Sequence, residues 1–223
     1  EWSPDKDNVI SKRYDGKRLN LKNANKEALQ AEAGLEKKDV PLFGLISRLA
    51  DQKGLNLIAE LIDELCRDKA QFILLGTGDR KYHTLFERIK KDYPGIASIN
   101  LKFDNALARK IYAGCDFFLM PSMYEPCGLG QLISLRYGTI PVVRKTGGLA
   151  DTITEDSAGA VKGNGFVFAE YTAQGLRDAI DRAKKVYNDS RAWDALRKRA
   201  MVQDFSWKES ARAYLKLYEK LKA

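Results

Sequence analysis

The residues best equipped for chemistry lie in one stretch, Leu119 to Ile153, which reads LMPSMYEPCGLGQLISLRYGTIPVVRKTGGLADTI. The apolar run Phe117 to Met120 predicts a buried strand, and Pro121 and Ser122 mark its end. Glu125 therefore falls just past a strand's carboxyl edge, where open α/β sheets bind ligands. Gly128-Leu129-Gly130 follows, suited to a loop whose backbone N–H groups face an anion, with Gln131 to Tyr137 as a helix body. A carboxylate beside such a cradle points to a sugar phosphate. The arrangement then repeats: Thr139 to Val143 predicts a short strand, and Thr146-Gly147-Gly148 opens a helix through Ile153, so two glycine loops would border one cleft. A second polar loop, Ser47 to Gly54, carries Arg48 and Lys53. Arg48 offers a planar bidentate fork and Lys53 a mobile point charge, and the two can converge on one diphosphate. From residue type alone, solvated surface cations are the commoner reading, at roughly three in four.

PSMYEPCGLGQL followed by RYGTIPVVRKTGGLADTI resembles the C-terminal, donor-binding domain of bacterial and archaeal glycogen and starch synthases, a class of two-domain retaining glycosyltransferases. The resemblance implies that the loop SRLADQKG binds phosphate through Arg48 and Lys53 and that Glu125 contacts the glucose hydroxyls. It also places the backbone of Cys127, Gly128 and Leu129 against sugar and phosphate. The turn Gly76-Thr77-Gly78-Asp79 would border the donor pocket, and Phe103 would stack on the donor's base. A core phenylalanine at a strand end is the other reading of Phe103. Cys127 reads as a small buried thiol rather than a nucleophile, because this class is thought to react through an oxocarbenium-like ion pair. Two positions vary within the class: related transferases outside the synthases carry a ribose-binding glutamate where this chain has Ile133, and synthases often have threonine at Gly130.

The implied activity is transfer of glucose from ADP-glucose or UDP-glucose to the nonreducing end of an α-1,4-glucan with retention, without a metal ion or other cofactor. The acceptor would reach the site through an N-terminal domain that this sequence lacks, so the chain alone is expected to bind nucleotide weakly and to transfer no glucose. Another nucleotide-sugar transferase of the same fold and a noncatalytic nucleotide- or glucan-binding module are the rival readings.

Composition limits the alternatives. The 223 residues suffice for one large α/β domain, hydrophobic residues are 44% and charged residues 30%, and no apolar run approaches the ~18 residues of a membrane span. The net charge of +8 comes from lysines and arginines interspersed with acids, without an aromatic-interleaved basic stripe, which disfavours a nucleic-acid partner. Cys66, Cys115 and Cys127 are odd in number and widely spaced, so neither a disulfide framework nor a zinc site is expected; with no signal peptide, a cytoplasmic location follows. The opening Glu1-Trp2-Ser3-Pro4 reads as a fragment or a processed chain. Asp5-Lys6-Asp7 is a DxD string, but in a proline turn and not at a buried strand end, so no metal is expected there.

These residues need elements to position them. Residues 1–40 read as a peripheral lead-in with a helix from Lys22 to Ala33 ended by Gly34. Strands are predicted at Val40 to Ile46, Gln71 to Leu75, Ile96 to Phe103, Asp116 to Met120, Thr139 to Val143 and Asn164 to Phe168, with a loop at Asp156 to Ala160. Helices are predicted at Leu55 to Cys66, Lys81 to Lys91, Ala106 to Ala113, Thr172 to Tyr187, Arg191 to Met201 and Trp207 to Leu221. Strand and helix alternate, so the fold class is a doubly wound, Rossmann-like parallel sheet over residues 1–223, with 204–223 as a closing helix. The turn GTGDRKYH is not a dinucleotide fingerprint, which disfavours NAD. His83, the single histidine, reads as a surface residue without a role.

Overall fold

The chain is described by a computed structural model covering residues 2–156 and 163–222. Within it, six strands form one wholly parallel sheet in the order β3-β2-β1-β4-β5-β6. They are β1 (Leu42–Ile46), β2 (Gln71–Leu75), β3 (Ala97–Asn100), β4 (Phe117–Met120), β5 (Ile140–Arg144) and β6 (Phe166–Phe168). The helices are α1 (Lys22–Glu32), α2 (Leu55–Arg67), α3 (Arg80–Asp92), α4 (Asn105–Gly114), α5 (Gly130–Arg136), α6 (Gly147–Thr152), α7 (Ala173–Tyr187), α8 (Ser190–Met201) and α9 (Trp207–Lys222). The strand order reverses between β1 and β4, which creates a crevice at their carboxyl ends.

The strands read as continuous apolar runs because helices cover both faces of the sheet. Alternate residues go to opposite sides. Phe43 and Leu45 of β1, with Phe72 and Leu74 of β2, pack under α2, α3, α7 and α8, while Leu42, Ile73 and Leu75 pack under α1 and α4. Phe117 stacks on Phe43 at 4.9 Å and meets Trp193 of α8 at 5.0 Å, so the two central strands and a covering helix share one aromatic cluster. Burying a side chain of this size contributes about 1.5–3 kcal/mol.

The predicted elements are all present, with shifted ends that have local causes. β1 starts at Leu42 rather than Val40, since Pro41 has no N–H for the ladder. β3 stops at Asn100, well short of Phe103, because Asp104 turns the chain into α4 and accepts the Leu107 N–H at 2.9 Å as its cap. Thr172 lies just outside α7 and caps it, accepting the Gly175 N–H at 3.0 Å. Of the loop predicted at 156–160, residues 157–160 lie outside the described residues.

One expectation needs correcting. The lead-in is not peripheral: Tyr14 is fully buried, its hydroxyl donating to the Tyr137 carbonyl at 2.7 Å, and Ile10 and Leu19 join a cluster with Tyr112, Phe118 and Met201. Its scarcity of apolar residues is offset by buried polar pairs. Lys26 of α1 reaches Asp116 at 2.7 Å, and that carboxylate also accepts the Leu42 N–H at 2.9 Å, joining α1 to the amino ends of β1 and β4. Lys22 is buried as well, donating to Ala113 O and Thr139 Oγ1, each at 2.7 Å, and to Tyr112 O at 3.3 Å. At the other end, α9 does not lay its apolar face on the domain: Trp207, Tyr214, Leu217 and Leu221 are all exposed. No helix among the described residues is long and apolar enough to cross a membrane.

Candidate functional site

The loop leaving β1 and the loop leaving β4 face each other across the crevice, and hydrogen bonds join them. Gln52 O accepts the Met123 N–H at 2.8 Å, while Gln52 Nε2 donates to Tyr124 O at 3.2 Å. Arg48 donates to Gln52 Oε1 at 3.3 Å, which tethers its exposed guanidinium beside this joint. Lys53 ends a short 3-10 turn ahead of α2, and its Nζ lies 2.6 Å from Glu125 Oε2. Glu125 is only 8% exposed. Ser122, three residues earlier in the same turn, donates to the same oxygen at 3.1 Å. Both bonds fall on Oε2, so a buried carboxylate keeps its charge compensated while Oε1 accepts none among the described residues.

Next to this pair is a cavity of about 370 Å³ whose walls include Arg48, Lys53, Ser122, Glu125 and Gly128-Leu129-Gly130. Gly128 has φ +74°, a conformation that side chains disfavour, and the buried Gln131 amide lies where its Cβ would be. Gln131 Nε2 donates to the carbonyls of Cys127 and Gly128 at 3.1 and 3.0 Å, which fixes the loop's path. A second cavity of about 480 Å³ begins at Arg48 and Ser47 and runs past Gly76, Thr77 and Asn105 to Phe103. The two cavities share Ile46, Ser47, Arg48 and Tyr112, so one elongated ligand could span both with Arg48 at the junction.

The structure thus gathers Arg48, Lys53, Glu125, Gly128, Leu129 and Gly130 around one cavity, and Gly76 and Phe103 around its neighbour. Phe103 is 90% exposed, which removes the core reading and leaves its ring facing outward at the rim. Gly78, Gly147, Gly148 and Cys127 are not wall residues of either cavity. A Cβ on Gly78 would strike the Leu49 carbonyl, so this glycine serves the close pairing of the two loops. Gly147 and Gly148 similarly press on the carbonyls of Glu125 and Cys127, and the Gly148 N–H donates to Glu125 O at 3.1 Å. The second glycine loop therefore supports the first from behind.

Cys127 is exposed, contrary to the expected buried thiol, because the loop turns outward after Pro126. His83 is half-buried: its Nε2 accepts the Gly78 N–H at 3.3 Å and lies 3.4 Å from the Thr77 hydroxyl, bracing the Gly76 turn. Asp7 of the DxD string is committed to protein partners, accepting from Tyr137 Oη, the Val9 N–H and Arg109. Burial pushes its carboxyl up, but those hydrogen bonds and the Arg109 charge outweigh burial and hold it below the usual range. Sequence reading did not single out Gln52 and Ser122. Their spacing to Arg48 and Glu125 was visible, but their role depends on two loops meeting across the crevice.

Known proteins bear on this site. A protein called glycogen synthase from Fervidobacterium nodosum is 52% identical over 223 residues, 100% of this chain and 46% of its own length. Another so named, from Desulforudis audaxviator, is 52% identical over 219 residues, 98% of this chain and 44% of its length. The chain thus spans about half the length of these relatives. Among solved structures, the catalytic domain of starch synthase IV from Arabidopsis thaliana, bound to ADP and acarbose, superimposes with a TM-score of 0.90 at 38% identity, covering 98% of this chain and 46% of that one. Residues 26–199 match the family described as glycosyl transferases group 1, which takes in every strand, both crevice loops and all of the candidate site residues. The chain belongs to the group 1 glycosyl transferases.

Proposed function

We propose that this chain is the donor-binding half of a glycogen or starch synthase, which transfers glucose from ADP-glucose or UDP-glucose to the nonreducing end of an α-1,4-glucan with retention. One observation carries the reading: a cation-lined cavity that holds Glu125 opens, through Arg48, into a largely apolar cavity rimmed by Phe103. That sequence of surfaces matches sugar, diphosphate and base in order. The resemblance to the Arabidopsis enzyme, which was solved with ADP, supports a nucleotide in this place.

In this reading the diphosphate lies between Arg48, Lys53 and the amides of Gly128 to Gly130. As the bond from the anomeric carbon to the β-phosphate oxygen breaks, its electron pair moves to the diphosphate, and those groups meet the growing negative charge. Lys53 then shifts part of its charge from Glu125 toward phosphate. Glu125, released from full neutralisation, holds the sugar hydroxyls and favours positive charge at the anomeric carbon. Two protein cations meet the diphosphate charge, so the reading requires no metal ion. The glucan would approach from a partner domain, to which α9, with its exposed Tyr214, Leu217 and Leu221, would also be attached.

The test is calorimetric titration of the chain with ADP, UDP and NAD, each with and without magnesium, and of Arg48→Ala. Binding of ADP or UDP, indifferent to magnesium and weakened about tenfold or more by the substitution, is the expected result. Preference for NAD, or nucleotide binding that ignores Arg48, would overturn the assignment.

A further inference from the structure

The apolar cavity has a wall that comes from the far end of the sequence. Trp2 lines it, together with Ile46, Ala108, Tyr112 and Ile133. Trp2 is held there from two sides. Its ring meets Tyr112 edge-on at 5.7 Å, and the Arg109 guanidinium lies over it at 4.4 Å. Arg109 in turn is fixed by Asp7 at 3.2 Å, and Asp7 is anchored by the Tyr137 hydroxyl. Tyr112 and Arg109 both belong to α4, the helix that starts beside Phe103 and sends Asn105 and Ala108 to the same cavity. The indole is half-buried, so part of its surface is still open to a ligand.

We infer that Trp2 is a nucleoside-contacting residue, and that the lead-in is part of the binding cleft rather than a tether outside it. The inference rests on the nucleotide reading above. An aromatic ring in the apolar part of a base or ribose site contributes stacking and excludes water, so its truncation weakens binding by about tenfold. The Asp7–Arg109 pair clamps the lead-in onto α4 and sets the ring's place, which links order in residues 2–21 to occupancy of the cavity.

The experiment compares wild type, Trp2→Ala and Trp2→Phe by calorimetry with ADP and UDP and with the nucleosides adenosine and uridine. Tryptophan emission is followed in wild type and Trp2→Phe. Trp2→Ala should weaken nucleotide and parent nucleoside by the same factor, about tenfold, whereas Arg48→Ala should weaken the nucleotide alone. Trp2→Phe should keep affinity within about threefold while abolishing the nucleotide-induced change in emission, since Trp193 is buried in the core and Trp207 lies on α9. Tyr14→Phe controls for lead-in stability: it removes the hydrogen bond to Tyr137 O without touching the cavity, and should lower Tm but not affinity. If wild type binds nucleotide but Trp2→Ala binds it as well, or emission is unchanged on binding, the inference about Trp2 fails and the nucleotide site stands. If wild type binds no nucleotide, the functional reading fails and takes the inference with it.

Discussion

Replacing Lys53 with methionine removes the only cation paired, among the described residues, with a carboxylate that is 8% exposed, and the stability cost follows from what is left behind. Glu125 would keep the Ser122 hydroxyl as its one side-chain partner among the described residues. Breaking a buried pair by deleting one member costs about 3–5 kcal/mol. Lys53 is 19% exposed at the side chain, so water can restore part of the lost solvation, and a loss of about 2–3 kcal/mol is the expected figure. Glu125→Gln in the same background removes the stranded charge and keeps the shape, so the double variant should regain most of that loss. Urea unfolding of wild type, both single variants and the double variant, with equal m-values as the check on two-state behaviour, gives the coupling directly. A coupling of about 1.5 kcal/mol or more would show that the pair stabilises the fold. Additivity within about 0.5 kcal/mol would refute the argument, because it would mean that Glu125 is already solvated through the cavity.

Two further perturbations test other parts of the structure. Burial pulls the Lys22 ammonium down to about 7, against smaller opposing effects of the Asp116 and Cys115 charges, although its three oxygen partners suit the charged form. Between that value and the ordinary lysine range the unfolded chain binds the extra proton, so this group's contribution to stability rises with pH there and is flat below it. The Tm of wild type relative to Lys22→Met should therefore climb from pH 7 to pH 9.5, and a constant difference would contradict a depressed lysine. Phe103→Ala should leave Tm within about 1 °C, since the ring is 90% exposed, and weaken ADP or UDP by about tenfold through lost stacking; unchanged affinity would remove Phe103 from the site.

The strands were legible because a sheet covered on both faces demands unbroken apolar runs, and LFGLI, QFILL and FFLM satisfy that demand without help from distant residues. The loops at Arg48 and Glu125 were legible for a related reason: function concentrates at strand ends, and strand ends can be read. What escaped was long-range pairing of polar groups. Nothing local marks Lys26 as the partner of Asp116, or Asp7 as the partner of Tyr137 and Arg109, so a lysine-rich lead-in looked solvated although those side chains are buried. Phe103 and Cys127 escape local reading for the opposite reason. Each follows an apolar or compact segment by one turn, and whether the chain turns in or out at that point is decided by the Asp104 cap and by the Pro126 turn, not by the residue itself.

The strand order has a bearing on how the molecule comes apart. β1 and β4 each have neighbours on both sides, whereas β3 and β6 form the edges, and β6 has only three residues. Local openings begin where few contacts are lost, so the edge strands and α9 should open and close many times before the centre yields. The Arg48 and Glu125 loops hang from the two central strands. Fraying at either margin would therefore leave the cleft assembled, and its amides would exchange with solvent through their own exposure rather than through loss of the sheet beneath them.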